Sequence, residues 1–191
     1  MNGKRLLWVL VFLILLVSGV YATEKIGGSI PSDVSTYTQN DPVAVTDDSG
    51  GPTYGIYVLG NSTDPALSLT VNATVNSTAT NSTGRSSAYG VYSYNETDPS
   101  NSRPLSNLVV TENGNISATA TSEGSWAVAY GVYVYSINGD FTNSGTISAT
   151  SEGSSAGALG VYVGTIGGDF TNSGTISATS EGSSAVAYGV V

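Results

Sequence analysis

The sequence predicts an all-β protein, a right-handed parallel β-helix of about 29 residues per coil, incomplete at its C-terminus. Three observations lead there. The stretch "GDFTNSGTISATSEGSSA" stands at 139–156 and again, unchanged, at 168–185. The element "YGIY" at 54–57 returns as "YGVY" at 89–92 and 130–133, "LGVY" at 159–162 and "YGVV" at 188–191. Its glycines, Gly55, Gly90, Gly131, Gly160 and Gly189, are therefore 35, 41, 29 and 29 residues apart. Within a unit the runs "AVAYGVYVYS", "GDFTNSGTIS" and "ATSEGSSA" are short, β-type and separated by Gly, Asn and Ser turn signals, and no window carries helical spacing over three turns. Leucine-rich repeats need L-x-x-L-x-L, left-handed β-helices need a hexapeptide period, and propeller blades need four strands; the unit has none of these.

Taken in chain order, residues 1–22 read as a secretory signal peptide. Lys4 and Arg5 precede an apolar run from Leu6 to Val17, and the small residues end at Ala22, the expected cleavage point. An uncleaved signal anchor is the alternative, and both export the rest, with no stable transmembrane segment after cleavage. Residues 23–52, punctuated by Pro31, Pro42 and Pro52, predict an irregular lead-in or cap. Residues 53–191 are the β-helix repeats. The loops "GNSTDPALS" (60–68) and "SYNETDPSNSRPLS" (93–106) account for roughly 6 and 12 extra residues in the first two units. The chain stops at Val191 within a Tyr-Gly-Val strand, which predicts a truncated gene product, or one capped by another chain. An uncapped last coil predicts end-to-end self-association.

In a coil of this kind, residue i lies over residue i+29 at a strand spacing of about 4.8 Å. With one two-residue insertion allowed in "ENGNISATATSEGS" at 112–125, Val110, Phe141 and Phe170 form one inward column, Ile116, Ile147 and Ile176 a second, and Val132, Val161 and Val190 a third. Tyr130, Leu159 and Tyr188 share the parity of the valines and are expected inward, with Gly131 and its counterparts allowing close approach or a bend.

Composition narrows the function. The chain has no cysteine for disulfides, and beyond Ala22 only Lys25, Arg85 and Arg103 oppose fourteen acidic residues. Nucleic acid and anionic membrane surfaces are poor partners on that balance, so no nucleic acid is expected. Asp140 over Asp169, and Glu123 over Glu152 over Glu181, form acidic columns. Like charges at that spacing repel by about 1 kcal/mol in water, so each column is either solvated or holds a cation. Calcium is the ion that Asp140 and Asp169 admit, with Asn143, Asn172 and Glu112 as helpers; no other cofactor is called for. Tyr57, Tyr92, Tyr133 and Tyr162 have the outward parity and predict an aromatic file able to pack on sugar rings or on a protein. Sequons at Asn61, Asn72, Asn76, Asn81, Asn95 and Asn115 matter in a host that glycosylates exported asparagine. The absence of histidine, cysteine and, after Arg103, any cation leaves no nucleophile-base pair in the repeats and predicts a protein that is not an enzyme. A polysaccharide lyase or glycosidase is the alternative, and it would need Arg85 or Arg103 beside the acidic columns.

The pattern "NSGTISATSEGSSA" followed by "AYGVY" resembles the degenerate repeats of bacterial autotransporter passenger domains and related secreted β-helix adhesins, over residues 54–191. The resemblance implies a secreted or cell-surface fragment used in adhesion or display, with a glycan or a cell-surface protein as partner. Attachment to the outer membrane would need a C-terminal barrel, which is where this sequence departs from that family.

Overall fold

A computed structural model of the chain describes residues 25–191, so the signal peptide read at 1–22 lies outside the described residues. The described chain is a parallel β-solenoid. Coil 1 holds β1 (Lys25–Ile30), β2 (Thr36–Gln39) and β3 (Val43–Asp47), and coil 2 holds β4 (Pro52–Val58), β5 (Leu67–Val71) and β6 (Thr74–Asn81). Coil 3 holds β7 (Ser86–Ser93), β8 (Leu105–Val110) and β9 (Asn115–Ser122), and coil 4 holds β10 (Trp126–Ile137), β11 (Phe141–Asn143) and β12 (Thr146–Glu152). Coil 5 holds β13 (Ser155–Ile166), β14 (Phe170–Asn172) and β15 (Thr175–Glu181), and β16 (Ser184–Val190) opens the next.

Each strand pairs in parallel with its counterparts one coil away, which generates three walls. The first runs β1-β4-β7-β10-β13-β16, the second β2-β5-β8-β11-β14 and the third β3-β6-β9-β12-β15. The identical copies stack as expected: Phe141 pairs with Phe170, Ile147 with Ile176 and Val161 with Val190. The Phe141 and Phe170 rings are 5.0 Å apart.

The solenoid starts earlier than expected. Residues 25–52, predicted as an irregular lead-in, form coil 1 with β1, β2 and β3 in register on β4, β5 and β6. Their prolines do not interrupt strands, because Pro31 follows β1, Pro42 precedes β3 and Pro52 is the first residue of β4, where no ladder donor is lost.

Two columns also shift. Phe141 lies over Leu108, while Val110 lies over the buried Asn143. The turn from Leu108 to Ile116 spans two residues more than that from Phe141 to Ile147, so a constant 29-residue step fails across it. A second two-residue excess, in the turn between β9 and β10, breaks the glutamate column, since Glu152 pairs with Thr121 rather than Glu123 and only Glu152 and Glu181 remain stacked. The Asn143 amide donates to Asn172 Oδ1 at 2.7 Å, forming a rung of its own.

The core divides by side-chain size. Ile56, Val91, Val132 and Val161 of the first wall meet Leu69, Leu108 and Phe141 of the second and Val75, Ile116 and Ile147 of the third. Alanines fill the other end, where Ala88, Ala129 and Ala158 of the first wall meet Ala79, Ala118 and Ala149 of the third. Small side chains let those two walls converge, which closes the section on that side. In the last coil Phe170, Val186, Tyr188 and Val190 are exposed.

At the repeated glycine the alternation slips by one. Ala88 is inside, Tyr89 outside, and then Gly90 and Val91 both face inward before Tyr92 points out again. An added Cβ at Gly131 would stand 2.5 Å from the Gly160 carbonyl oxygen and 2.6 Å from Ile147 Cγ2. The bend expected at these glycines is therefore present, and its consequence for parity corrects the placement of Tyr130, which belongs to an external cluster. Gly131→Ala is expected to cost about 2–3 kcal/mol through overpacking against backbone, read as a lowered urea midpoint; an unchanged midpoint would refute the close approach.

Candidate functional site

Because the slip at each glycine re-sets the alternation, tyrosines three apart emerge on the same outer side of the first wall. Tyr54, Tyr89 and Tyr130 form one file, and Tyr57, Tyr92, Tyr133 and Tyr162 form another beside it. The expected file at Tyr57, Tyr92, Tyr133 and Tyr162 is outside the aliphatic core, but it is not a lone flat strip. Rings within each file stack, as with Tyr54 and Tyr89 at 5.1 Å and Tyr57 and Tyr92 at 5.2 Å. Rings in neighbouring files meet edge-on, as with Tyr54 and Tyr57 at 84° and Tyr89 and Tyr92 at 75°. Tyr94 joins them, 4.4 Å from the Tyr133 ring. Tyr54, Tyr89 and Tyr92 are thereby buried without entering the core, while Tyr57, Tyr130, Tyr133 and Tyr162 stay half-buried.

The two long loops stand on consecutive coils at one corner, 59–66 between β4 and β5 and 94–104 between β7 and β8. Ser62 Oγ donates to Asn101 Oδ1 at 3.1 Å, Asn95 N–H donates to Ser102 Oγ at 2.7 Å and Ser93 Oγ donates to the Arg103 carbonyl at 2.7 Å. Together with the adjoining end of the tyrosine cluster they enclose a pocket of about 440 Å³, lined by Tyr54, Tyr57, Tyr92, Tyr94, Glu96 and Arg103 among others. Gly60 enters its loop at φ +125°, where a side chain would be strained and would meet Asp64 and Arg103.

Arg103 is the largest fully buried side chain among the described residues. Its guanidinium donates to the carbonyls of Pro65 at 3.0 Å, Pro31 at 2.8 Å, Leu59 at 3.2 Å and Val34. Desolvation lowers its pKa, while Asp64 and Asp33 oppose that shift. Arg85 lies 5.3 Å from the centre of the Trp126 ring.

Burial is the main reason that Tyr89, Tyr92, Tyr130 and Tyr133 hold their protons more tightly than ordinary tyrosine. The Glu96 carboxylate reinforces the shift at Tyr89, Tyr92 and Tyr130.

The other expected site residues are placed as follows. Asp140 and Asp169 are stacked and exposed, but the carboxylate closes a ladder: Asp140 Oδ1 accepts the Asp169 N–H at 2.9 Å, as Asn107 Oδ1 accepts the Asp140 N–H at 2.9 Å. Among the described residues no three histidine, cysteine, aspartate or glutamate side chains are grouped to hold a metal ion. Four sequon asparagines spend their side chains on local geometry. Asn61, Asn81 and Asn95 accept backbone N–H groups within their own turns, and Asn72 bonds Asn40 and Thr111. Asn76 and Asn115 are exposed on adjacent strands.

The loops and one tyrosine file are legible in the sequence, but the pocket between them is not. A signal for it exists, since each loop begins four residues after its repeat glycine, Gly55 or Gly90, and so falls at the same corner. No protein-family model, curated protein or solved structure matches the chain.

Proposed function

We propose that this chain is a non-enzymatic, exported β-solenoid of the adhesin or passenger kind, whose tyrosine face binds a glycan or a cell-surface protein. The observation that carries this reading is the paired tyrosine files on one outer wall, with half-buried rings at Tyr57, Tyr133 and Tyr162 in a chain otherwise faced with Ser, Thr and Asn. Rings held by their neighbours lose little freedom on binding, which favours recognition by a rigid surface. The net charge of −9 suits neutral or cationic partners rather than nucleic acid.

The carbohydrate-active enzyme reading has less support. It needed a free cation beside the acidic columns, whereas the Arg103 guanidinium is committed to four carbonyls and Arg85 lies against Trp126.

The test is binding of the full chain to a glycan array and to immobilised cell-surface extracts, with Tyr57→Ala combined with Tyr162→Ala. Losing two stacking rings is expected to weaken binding about 10-fold or more. Equal binding by the variant, or release of soluble product from a polysaccharide, would refute the reading.

A further inference from the structure

The pocket at the corner of coils 2 and 3 has a chemistry distinct from that of the tyrosine face as a whole. Its walls combine Tyr54, Tyr57, Tyr92 and Tyr94 with the Glu96 carboxylate and the Arg103 side chain. The Tyr54 ring stands at 84° to Tyr57 and 66° to Tyr92, so the rings that line the space do not share one plane. Aromatic faces carry a negative quadrupole and attract cations that approach within about 6 Å of the ring centre.

We propose that this pocket binds a small organic cation of the trimethylammonium class. Charge points the same way. Arg103 is offset by Asp64 and Asp33, and Glu96 adds one further negative charge, which leaves the corner net acidic. Four hydrogen bonds from Arg103 to backbone carbonyls leave it little capacity to receive an anion.

Hydrogen bonding selects among the remaining ligands. Asn95 Oδ1 already accepts the N–H groups of Thr97 and Asp98, and Ser102 Oγ already accepts the Asn95 N–H. A sugar ring brings several hydroxyls that need partners, and these two acceptors are already engaged within the loop. A quaternary ammonium has no N–H to satisfy; it needs aromatic faces, one carboxylate and freedom from water, and the pocket supplies the first two. The volume of about 440 Å³ falls in the range of small-molecule sites.

The experiment is a titration of the full chain with choline chloride and, separately, with its uncharged isostere 3,3-dimethyl-1-butanol and with neutral monosaccharides, followed by calorimetry and tyrosine NMR shifts. Choline is expected to bind about 10-fold or more tightly than the isostere. Glu96 is exposed and Glu96→Gln preserves its shape, so that variant is expected to fold normally and to weaken choline binding about 5-fold, while Tyr94→Leu weakens it about 10-fold. Equal binding of choline and the isostere, a monosaccharide binding in preference to both, or no choline-dependent shift at about 50 mM with a native circular dichroism spectrum overturns the inference. Tyr57 lines the pocket whereas Tyr162 lies on coil 5 outside it, so the choline titration of the parent chain is what separates the two readings. If the Tyr57 and Tyr162 double variant abolishes glycan or protein binding while the parent chain shows no preference for choline, this inference alone is refuted. The converse result refutes the tyrosine-face reading alone.

Discussion

Arg103→Met is expected to destabilise the N-terminal half of the solenoid by about 3–5 kcal/mol. The buried guanidinium links three successive coils. It stands at the entrance to β8 of coil 3, and its donors reach Leu59 and Pro65 on the coil 2 loop and Pro31 and Val34 on the coil 1 turn. Methionine restores much of the volume but none of the donors, leaving four carbonyls to find water at a corner the side chain had sealed. Arg103→Lys should recover only part of the loss, because a point ammonium cannot reproduce a planar fork directed to several acceptors.

Stability in a solenoid is carried by each coil and its nearest neighbours, so the damage is expected to stay local. Hydrogen exchange should accelerate in β1, β2, β4 and β5 while β12 and β13 keep their protection, and proteases should gain access to 59–66 and 94–104. Uniform acceleration along the chain, or a urea midpoint equal to the parent's, would disprove the staple.

This staple is not legible in the sequence, and the reason is geometric. Arg103 lies 72 residues from Pro31 and its acceptors are backbone carbonyls, which leave no mark on residue type. The stacking of Phe141 on Phe170 and of Ile147 on Ile176 is legible because identical copies must superpose if the coil length is constant. That superposition breaks where two turns each take two more residues, the one after Val110 moving Leu108 over the phenylalanines and the one after Ser122 moving Glu123 out of the glutamate column.

Coil 1 is hidden for a related reason. Gly27 is the first member of the glycine column, pairing in register with Gly55, but its flanks are Ile26 and Gly28 rather than Tyr and Val, so the motif is lost while the close approach remains. The second tyrosine file is hidden by the bend. Strict period-two alternation sends Tyr130 and Val132 to one side, and only two consecutive inward residues at Gly131 and Val132 reverse that outcome. A Tyr-Gly-Val-Tyr repeat is therefore best read as two outward aromatics flanking a corner, since the spacing of three matches alternation only if one step is skipped.

The tyrosine cluster should also set the alkaline limit of the fold. Unfolded tyrosine titrates near 10.0, whereas burial, first, and the charge of Glu96, second, raise the value for folded Tyr89. Below pH 10 both states are neutral and the cluster's contribution to stability is fully present. Above it the unfolded chain ionises while the folded chain does not, so stability falls as pH rises towards the folded value. Tyr89 alone removes about 1.4 kcal/mol per pH unit in that window. Tyr92, Tyr130 and Tyr133 are shifted in the same direction and add to the slope, with a smaller share each where solvent screens the hydroxyl. The expected result is a cooperative transition between about pH 11 and 12, in which tyrosinate absorbance near 295 nm rises as the β circular dichroism signal is lost. Glu96→Gln removes one of the charges that oppose ionisation and is expected to let tyrosinate form at slightly lower pH in the folded state, which flattens the stability loss and moves unfolding upward. A smooth titration centred at pH 10 with the β signal intact would mean that the rings are open to water, and the packed cluster on which the binding face depends would not exist.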